Sequence, residues 1–454
     1  MNTKPYPQYK NSGTEWIGFL PAGWTVRKLK HIASIQFSSV DKHTLDGEDI
    51  VRLCNYVDVY KNDFIDEQLE LMTASASRSE IAQFRLRKGD VLVTKDSEDW
   101  RDIAVPAFVD SDFNDVLCGY HLAQIRANDK LADGKFLFRA ISARGINDQF
   151  RVLSNGITRF GLSKYGIDNG IFPLPPIDEQ RTIAAFLDRE TARIDGLVAK
   201  KQRQIALLQE KRVAVISHAV TKSLDPNAKM KPSGVDWLGD VPEHWETIRF
   251  KFLLELPLEY GANESAEFDD PSLPRFIRIT DIDESGNLRT DTFKSLPFDV
   301  ARPFLLKHGD LLFARSGATV GKTIMYREEW GLAAFAGYLI RARVNVRRIL
   351  PSFATYYCQT SHYWDWLQNS YIQSTIQNVN AERYANMFLP LPTVEEQNAI
   401  VDYLNRETAH IDTMTAKIKQ SIETLKEYRI ALISAAVTGK IDVRRNPIEC
   451  ENVN

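Results

Sequence analysis

The sequence predicts an α+β protein in which two mixed α/β domains are joined by two long helices. The helices pair as an antiparallel coiled coil, and the chain carries an internal pseudo-twofold repeat. Three observations lead there. The segment Ser12-Gly13-Thr14-Glu15-Trp16-Ile17-Gly18 through Trp24 returns as Ser233-Gly234-Val235-Asp236-Trp237-Leu238-Gly239 through Trp245. Pro173-Leu174-Pro175 through Thr221 returns as Pro390-Leu391-Pro392 through Thr438, with many identities. Between these copies lie two long inserts that resemble each other only faintly. A repeat this large marks two similar domains on a common frame, since solenoid periods run about 20–50 residues.

The two repeated segments after Pro173 and Pro390 read as helices. Each Pro-Leu-Pro is extended, because proline disfavours helix at the residue before it. Asp178-Glu179 and Glu395-Glu396 then place negative charge in a first turn, where the helix dipole favours it. Apolar residues follow at near-heptad spacing: Leu187, Ile194, Leu208 and Val215 in the first copy, with Val198 and Ile205 between, and Leu404, Ile411, Ile418, Leu425 and Leu432 in the second, with Ile422 between. Lys201 interrupts the first row and marks either a partner contact or a local looseness in the pairing. A helix of about 40 residues would be about 60 Å long. Two stripes that match register for register across so much intervening chain are expected to pack on each other as a rigid spacer.

The inserts, Val26 to Phe172 and Ile248 to Leu389, read as mixed α/β globules of one plan. Ile50–Leu53, Asp90–Val93, Phe276–Ile279 and Asp310–Phe313 have strand composition. Gly89-Asp90 and Gly309-Asp310 form turns in corresponding places. Phe136–Ser142 and Phe353–Gln368 read as helices.

Composition excludes several classes. At 454 residues the chain can hold two or three separately cored domains. The longest apolar run, Leu332 to Ile340, is far short of the about 20 residues a membrane helix needs. The polar start lacks a secretory signal's apolar core. Four scattered cysteines, with no C-x-x-C pair, indicate neither a disulfide framework nor a zinc site. A cytoplasmic protein is expected. A formal net charge of −3 makes no electrostatic case for nucleic acid by itself, but it suits a protein whose basic partners help to hold DNA.

The sequence carries no recognisable catalytic motif. Gly317-Ala318-Thr319-Val320-Gly321-Lys322-Thr323 has three residues between its glycines where a phosphate loop needs four, so a glycine-supported turn is the better reading. There is no methyl-donor or nucleotide pocket motif, no G-x-S-x-G elbow and no metal-binding histidine spacing. No catalytic and no metal-binding residue is assigned.

What the inserts offer is hydrogen-bonding chemistry for base edges. Arginine and lysine match guanine, asparagine and glutamine match adenine, and hydroxyl side chains serve phosphates. In the first insert the candidates are Lys95, Ser97, Arg101, Asn155, Thr158, Arg159, Lys164 and Tyr165. In the second they are Arg315, Thr319, Lys322, Gln373, Thr375, Gln377, Asn378 and Arg383. They fall in two pairs of matching stretches, one after each Gly-Asp strand and one before each Pro-Leu-Pro. Different polar residues at matching places are what reading two different targets requires. Solvated loops under neutral drift would look the same, and the residues alone leave both readings open.

The combined pattern resembles the specificity subunit of type I restriction–modification systems. The residues that carry it are Trp16-Ile17-Gly18 and Trp237-Leu238-Gly239 with their following Pro-x-x-Trp, and Ala219-Val220-Thr221-Lys222-Ser223-Leu224-Asp225-Pro226. To these add Glu179-Gln180 and Glu396-Gln397 after Pro-Leu-Pro, Arg189–Ala192 and Arg406–Ala409, and Ala436-Val437-Thr438-Gly439-Lys440-Ile441-Asp442. The resemblance spans the chain in the family's order. It implies a first target-recognition domain with its amino-terminal repeat (residues 1–172) and a first long helix (173–222). A second target-recognition domain (223–389) and a second helix with tail (390–454) follow. It further implies a non-catalytic subunit whose halves each read one part of a split, asymmetric double-stranded DNA site. The helices would set the gap and dock two methyltransferase subunits, which bind S-adenosylmethionine, and motor-endonuclease subunits would complete the complex. A coiled-coil scaffold without DNA reading, or an enzyme fusing recognition to its own chemistry, are the alternatives.

Overall fold

The computed structural model describes residues 5–283, 288–369 and 378–444. Two long helices, Ile177–Lys222 and Val394–Val437, run 46 and 44 residues, or about 65–70 Å at 1.5 Å per residue. The chain divides into two compact units. One is Met1–Lys201 with Gln420–Asn454, the other Gln202–Lys419, so both helices contribute to both. In the first unit the start of the first helix (Ile183, Leu187, Ile194) shares a core with the end of the second (Leu432, Ile433, Ala436). In the second unit Ile216, Ala219 and Val220 share a core with Ile400, Val401 and Leu404. Ion pairs follow the same sense: Asp195 meets Arg429 at 3.1 Å, and Arg212 meets Asp412 at 3.5 Å. Rising numbers on one helix meet falling numbers on the other, which makes the pair antiparallel. Along the stripe Leu187, Ile194, Leu404 and Ile411 are buried, while Ile205, Leu208, Ile418, Leu425 and Lys201 are half-buried.

The first unit holds a five-stranded sheet in the order Ala33–Phe37, Leu122–Ala127, Asp90–Thr94, Pro106–Val109, Phe64–Ile65. Its last pairing is parallel and the others antiparallel. A second sheet of Val116–Cys118, Asp49–Cys54 and Met72–Ala76 packs a core of its own around Val51, Leu53, Leu117 and Cys118. Helices Gly134–Ser142 and Arg144–Val152 lie between sheet and long helix in the chain. The second unit has a four-stranded sheet, Glu259–Tyr260, Leu339–Ala342, Leu311–Ala314, Thr323–Met325.

Two elements differ from what the sequence pattern predicts. The strand at Phe276–Ile279 is Arg275–Ile277 and then turns into a 3₁₀ helix at Ile279–Asp281, where the Asp281 carboxylate accepts from the Arg278 N–H at 2.7 Å. The helix at Phe353–Gln368 is two helices, Pro351–Tyr357 and Ser361–Asn369. The Thr360 hydroxyl accepts from Tyr363 N–H at 3.1 Å, a side-chain cap that starts a new helix. Residues 317–322 form a turn between the antiparallel strands Leu311–Ala314 and Thr323–Met325, with Gly317 and Gly321 at positive φ.

The repeated residues explain the frame. In each unit the strand after the buried tryptophan pairs antiparallel with the Pro-Leu strand, Val26 opposite Pro173 and Ile248 opposite Leu389. Each insert therefore enters and leaves through one two-stranded clamp. One turn later, fully buried Gln180 accepts from Asp133 N–H (2.9 Å) and donates to the carbonyls of Leu131 (3.1 Å) and Pro175 (2.9 Å). Gln397 does the same with Leu350 N–H (2.8 Å), Arg348 O (2.9 Å) and Pro392 O (3.0 Å). The Gly-Asp turns are equally specific. Asp90 and Asp310 are 1% exposed and accept from the N–H of Arg87 and Lys307. Each also forms a two-pronged bond to an arginine on or beside the neighbouring strand, Arg126 at 2.7 and 2.8 Å and Arg343 at 2.7 Å twice.

Removing either kind of buried anchor should show in stability. Gln397→Ala orphans one buried N–H and two carbonyls and should cost about 1–3 kcal/mol in urea unfolding. Asp310→Ala leaves the Arg343 cation largely buried and unpaired, and should cost about 3 kcal/mol or more in the same measurement. A loss below about 0.5 kcal/mol in either variant would contradict the anchoring role of that residue.

Candidate functional site

The chemistry-bearing residues gather where the strand after each Gly-Asp turn ends. In the first unit that strand is Asp90–Thr94, followed by Lys95. Lys95 N–H donates to His121 O at 3.1 Å, and Lys95 O accepts from Leu162 N–H at 2.7 Å. These bonds bring together the loop after the strand, the residues before strand Leu122–Ala127, and the segment before helix Lys164–Asp168. Phe160 and Gly161 pair with Ser97 and Asp96. Asn155 exchanges backbone bonds with Gly161, 3.0 and 2.8 Å, which closes the loop carrying Thr158 and Arg159.

The side chains form one charged cluster. Lys95 Nζ lies 4.6 Å from the Tyr120 ring centroid and 5.4 Å from that of Phe37, and it pairs with Asp96 at 3.1 Å. Arg159 Nη2 is 3.6 Å from the same carboxylate. His121 Nδ1 lies 3.1 Å from both Asp96 oxygens and 2.9 Å from Arg159 Nη2. With a proton on Nδ1 the ring donates to Asp96; without one it accepts from Arg159. Ser97 Oγ is 3.1 Å from the Tyr56 hydroxyl, and Tyr56 stacks on Tyr60 with centroids 5.7 Å apart. A lysine seated over two aromatic rings, an exposed arginine, a shared carboxylate and two hydroxyls make a cluster rich in both donors and acceptors.

Other sequence candidates stand apart from this cluster. Arg101 is exposed on a 3₁₀ turn and bound to Asp99 at 2.5–3.0 Å. That guanidinium holds the half-buried Asp99 carboxyl down at about 2. Lys164 is tied to Asp168 at 2.9 Å. Thr158 and Tyr165 project into solvent, Tyr165 being 78% exposed.

The second unit repeats the backbone frame with other side chains. Arg315 follows strand Leu311–Ala314, its N–H donating to Tyr338 O (3.1 Å) and its O accepting from Val379 N–H (2.9 Å). Ser316 bridges Asn378, as Asp96 pairs with Gly161. Arg315 thus stands where Lys95 stands, Ser316 where Asp96, Tyr338 where His121, and Asn378 where Gly161. The Arg315 guanidinium covers the Tyr260 ring at 4.8 Å. Lys322 donates to Asp283 O at 2.8 Å. Thr319 and Asn378 are exposed, as is Arg383 on helix Ala381–Ala385. Gln373, Thr375 and Gln377 lie outside the described residues. The frame also aligns the helices that follow the two stretches. Ser163 and Asn380 both cap the following helix, each accepting from the N–H three residues on. By that alignment exposed Tyr165 matches Glu382, while the fully buried Tyr384 matches Ile167.

Tyr120, His121, Tyr260 and Tyr338 are not among the residues that sequence reasoning selects. Each sits at or beside a strand end remote in sequence from the residue it meets, Tyr338 through its backbone carbonyl alone. The one signal that points to them is an aromatic residue at or beside the end of a strand that joins the Gly-Asp strand's sheet.

Comparison with known proteins gives a consistent result. The family model for the type I restriction modification DNA specificity domain matches twice, at residues 21–207 and 242–424. The chain is 23% identical to the type I restriction enzyme EcoBI specificity subunit of Escherichia coli, over 73% of this chain and 72% of that one. It is 22% identical to the MjaVIII specificity subunit of Methanocaldococcus jannaschii, over 71% and 74%. Two solved structures share the fold at 19% identity. A chain from a study of complex assembly and conformational transition of the type I R-M system aligns over 93% of this chain and 99% of its own, with a TM-score of 0.67. The HsdS subunit from Thermoanaerobacter tengcongensis aligns over 93% and 98%, with a TM-score of 0.52.

The geometry predicts that Lys95→Ala removes the cation between Asp96 and the Tyr120 face while leaving the backbone bonds of the frame in place. Urea unfolding should shift by about 1–2 kcal/mol, less than at Asp310, because the largely buried Asp96 carboxylate keeps Arg159 and His121 as partners when Lys95 is removed. A loss above about 3 kcal/mol would make Lys95 a structural residue.

Proposed function

This chain belongs to the type I restriction–modification DNA specificity family, and we propose that each of its two units reads one half of a split DNA site with the cluster at the end of its Gly-Asp strand. The observation that carries this reading is the shared backbone frame bearing different residues: Lys95, Asp96, His121 and Gly161 in one unit, Arg315, Ser316, Tyr338 and Asn378 in the other. Shared backbone hydrogen bonds hold the side chains at fixed places, and the side chains supply the difference in hydrogen-bonding pattern. Base pairs are told apart in the major groove by such patterns, whereas contacts to phosphates position the protein without informing it of sequence. Exposed cations outside the clusters, Arg383 and the Asp168-bound Lys164 among them, suit that positioning role.

The chain's part is recognition and assembly. The long helices supply the fixed separation between half-sites and a docking surface for two methyltransferase subunits carrying S-adenosylmethionine, to which motor-endonuclease subunits are added. Exposed apolar side chains on the helices support a protein partner: Leu197, Leu207 and Val213 on the first, Tyr428 and Ile430 on the second, each 36–47% exposed. Among the described residues no helix is long and apolar enough to cross a membrane. With a formal charge of −3 on this chain, closure of more basic partners around the duplex accounts for DNA affinity better than this chain alone.

Mapping adenine methylation by single-molecule sequencing, in cells with the complete system and in a deletion of this gene, tests the reading. Loss of a motif of two short blocks with a fixed gap is the expected result, and methylation unchanged by the deletion would refute it. In the same assay Arg159→Ala should relax one block and leave the other intact; equal loss across both blocks would remove Arg159 from base reading. One heptad inserted in both long helices should lengthen the gap or abolish assembly, and an unchanged gap in an active complex would end the spacer role.

A further inference from the structure

The two clusters differ in charge balance, and the difference singles out Arg315. In the first unit both cations share the Asp96 carboxylate. In the second unit the position of Asp96 is taken by Ser316, which carries no charge. Among the described residues, Arg315 Nε is buried without a hydrogen-bond partner and its guanidinium makes no ion pair. Its seat is the Tyr260 face, 4.8 Å from the ring centroid. That ring is itself held: its hydroxyl accepts from Ala381 N–H at 3.0 Å, and Tyr260 pairs with Ile340 in the sheet. The arginine backbone is fixed on both sides by the bonds to Tyr338 and Val379. Lys322, the other candidate cation on the same turn, is already engaged with the Asp283 carbonyl.

We propose that Arg315 is a specificity-determining residue that selects guanine in the half-site read by the second unit. The proposal rests on the DNA-reading function and assigns the base. A planar guanidinium lying on an aromatic ring keeps its outer edge free and in a set orientation. Two parallel N–H donors then match the O6 and N7 acceptors that guanine alone presents together in the major groove. A phosphate contact needs no such fixing, because charge alone suffices there. The lysine at the same place in the first unit is a point charge neutralised by its neighbour, so it lacks both the fork and the unspent donors.

The test is the complete complex with Arg315→Gln and with Arg315→Lys, assayed by methylome mapping and by selection from a randomised DNA library in vitro. The wild-type motif should contain a guanine whose preference falls roughly 5- to 150-fold in Arg315→Gln, with adenine gaining at that position, and with the other block unaltered. Arg315→Lys should keep guanine with a weaker preference. Uniform loss of binding with the motif intact, together with a shallower salt dependence, would make Arg315 a phosphate contact and overturn the proposal. So would a wild-type motif whose guanines are indifferent to both variants. If Arg315→Gln failed to assemble, Arg315→Lys would decide alone: an unchanged guanine preference would count against the proposal and a weakened one for it. A wild-type complex that selects no split motif would instead remove the DNA-reading function itself, whatever Arg315 does.

Discussion

Each unit depends on how an inserted domain is fastened to the head of a long helix. The chain enters and leaves the insert through adjacent antiparallel strands, and proline within the exit strand stops the helix from starting early. A buried glutamine in the helix's first turn then ties three backbone groups of the domain and strand together, in the same pattern at Gln180 and Gln397. Buried backbone groups must find partners, and a neutral amide supplies both a donor and an acceptor without the cost of burying charge. Side-chain contacts further along the helix reinforce the joint. Fully buried Arg139 bonds Asp188 at 2.8 Å and Thr191 at 3.1 Å, and Tyr356 reaches Asn405 at 2.7 Å in the equivalent place. The chemistry of this second contact differs between the copies while its location does not.

The same economy shapes the recognition clusters. A buried aspartate in the Gly-Asp turn, bonded two-pronged to an arginine at the neighbouring strand, holds the register of the central strand. Backbone bonds from the residue that follows this strand to two other segments then fix three loops at one point. Side chains at that point are free to vary because those backbone bonds do not run through them. That separation lets a frame persist while the surface it carries reads something else. It also locates the charge asymmetry, since one aspartate in the first unit and one serine in the second decide whether the neighbouring cations are spent within the protein.

The frame is legible in the sequence because it is local and written twice. Repeated tryptophans, prolines, Glu-Gln pairs and a heptad stripe announce clamps and helices through neighbours in the chain, and duplication separates them from chance. The site is legible only in part. Lys95, Ser97, Arg159, Arg315 and Asn378 stand out because they flank repeated landmarks, and the fold brings Lys95, Ser97 and Arg159 together. Lys164, Arg101 and Lys322 carry the same charge, yet each is engaged: Lys164 and Arg101 by near neighbours in the chain, Lys322 by the Asp283 carbonyl, which no spacing foretells.

By itself the sequence determined the two-domain plan, the paired long helices and the family, because periodicity, turn chemistry and repetition act over short stretches of chain. Tertiary structure alone decided which aromatic faces seat the cations, which cation is neutralised and which residues correspond between units. Tyr120 and Tyr260 reach their cations through strand pairing across dozens of residues, and electrostatic balance depends on distances of a few ångströms that no linear spacing encodes.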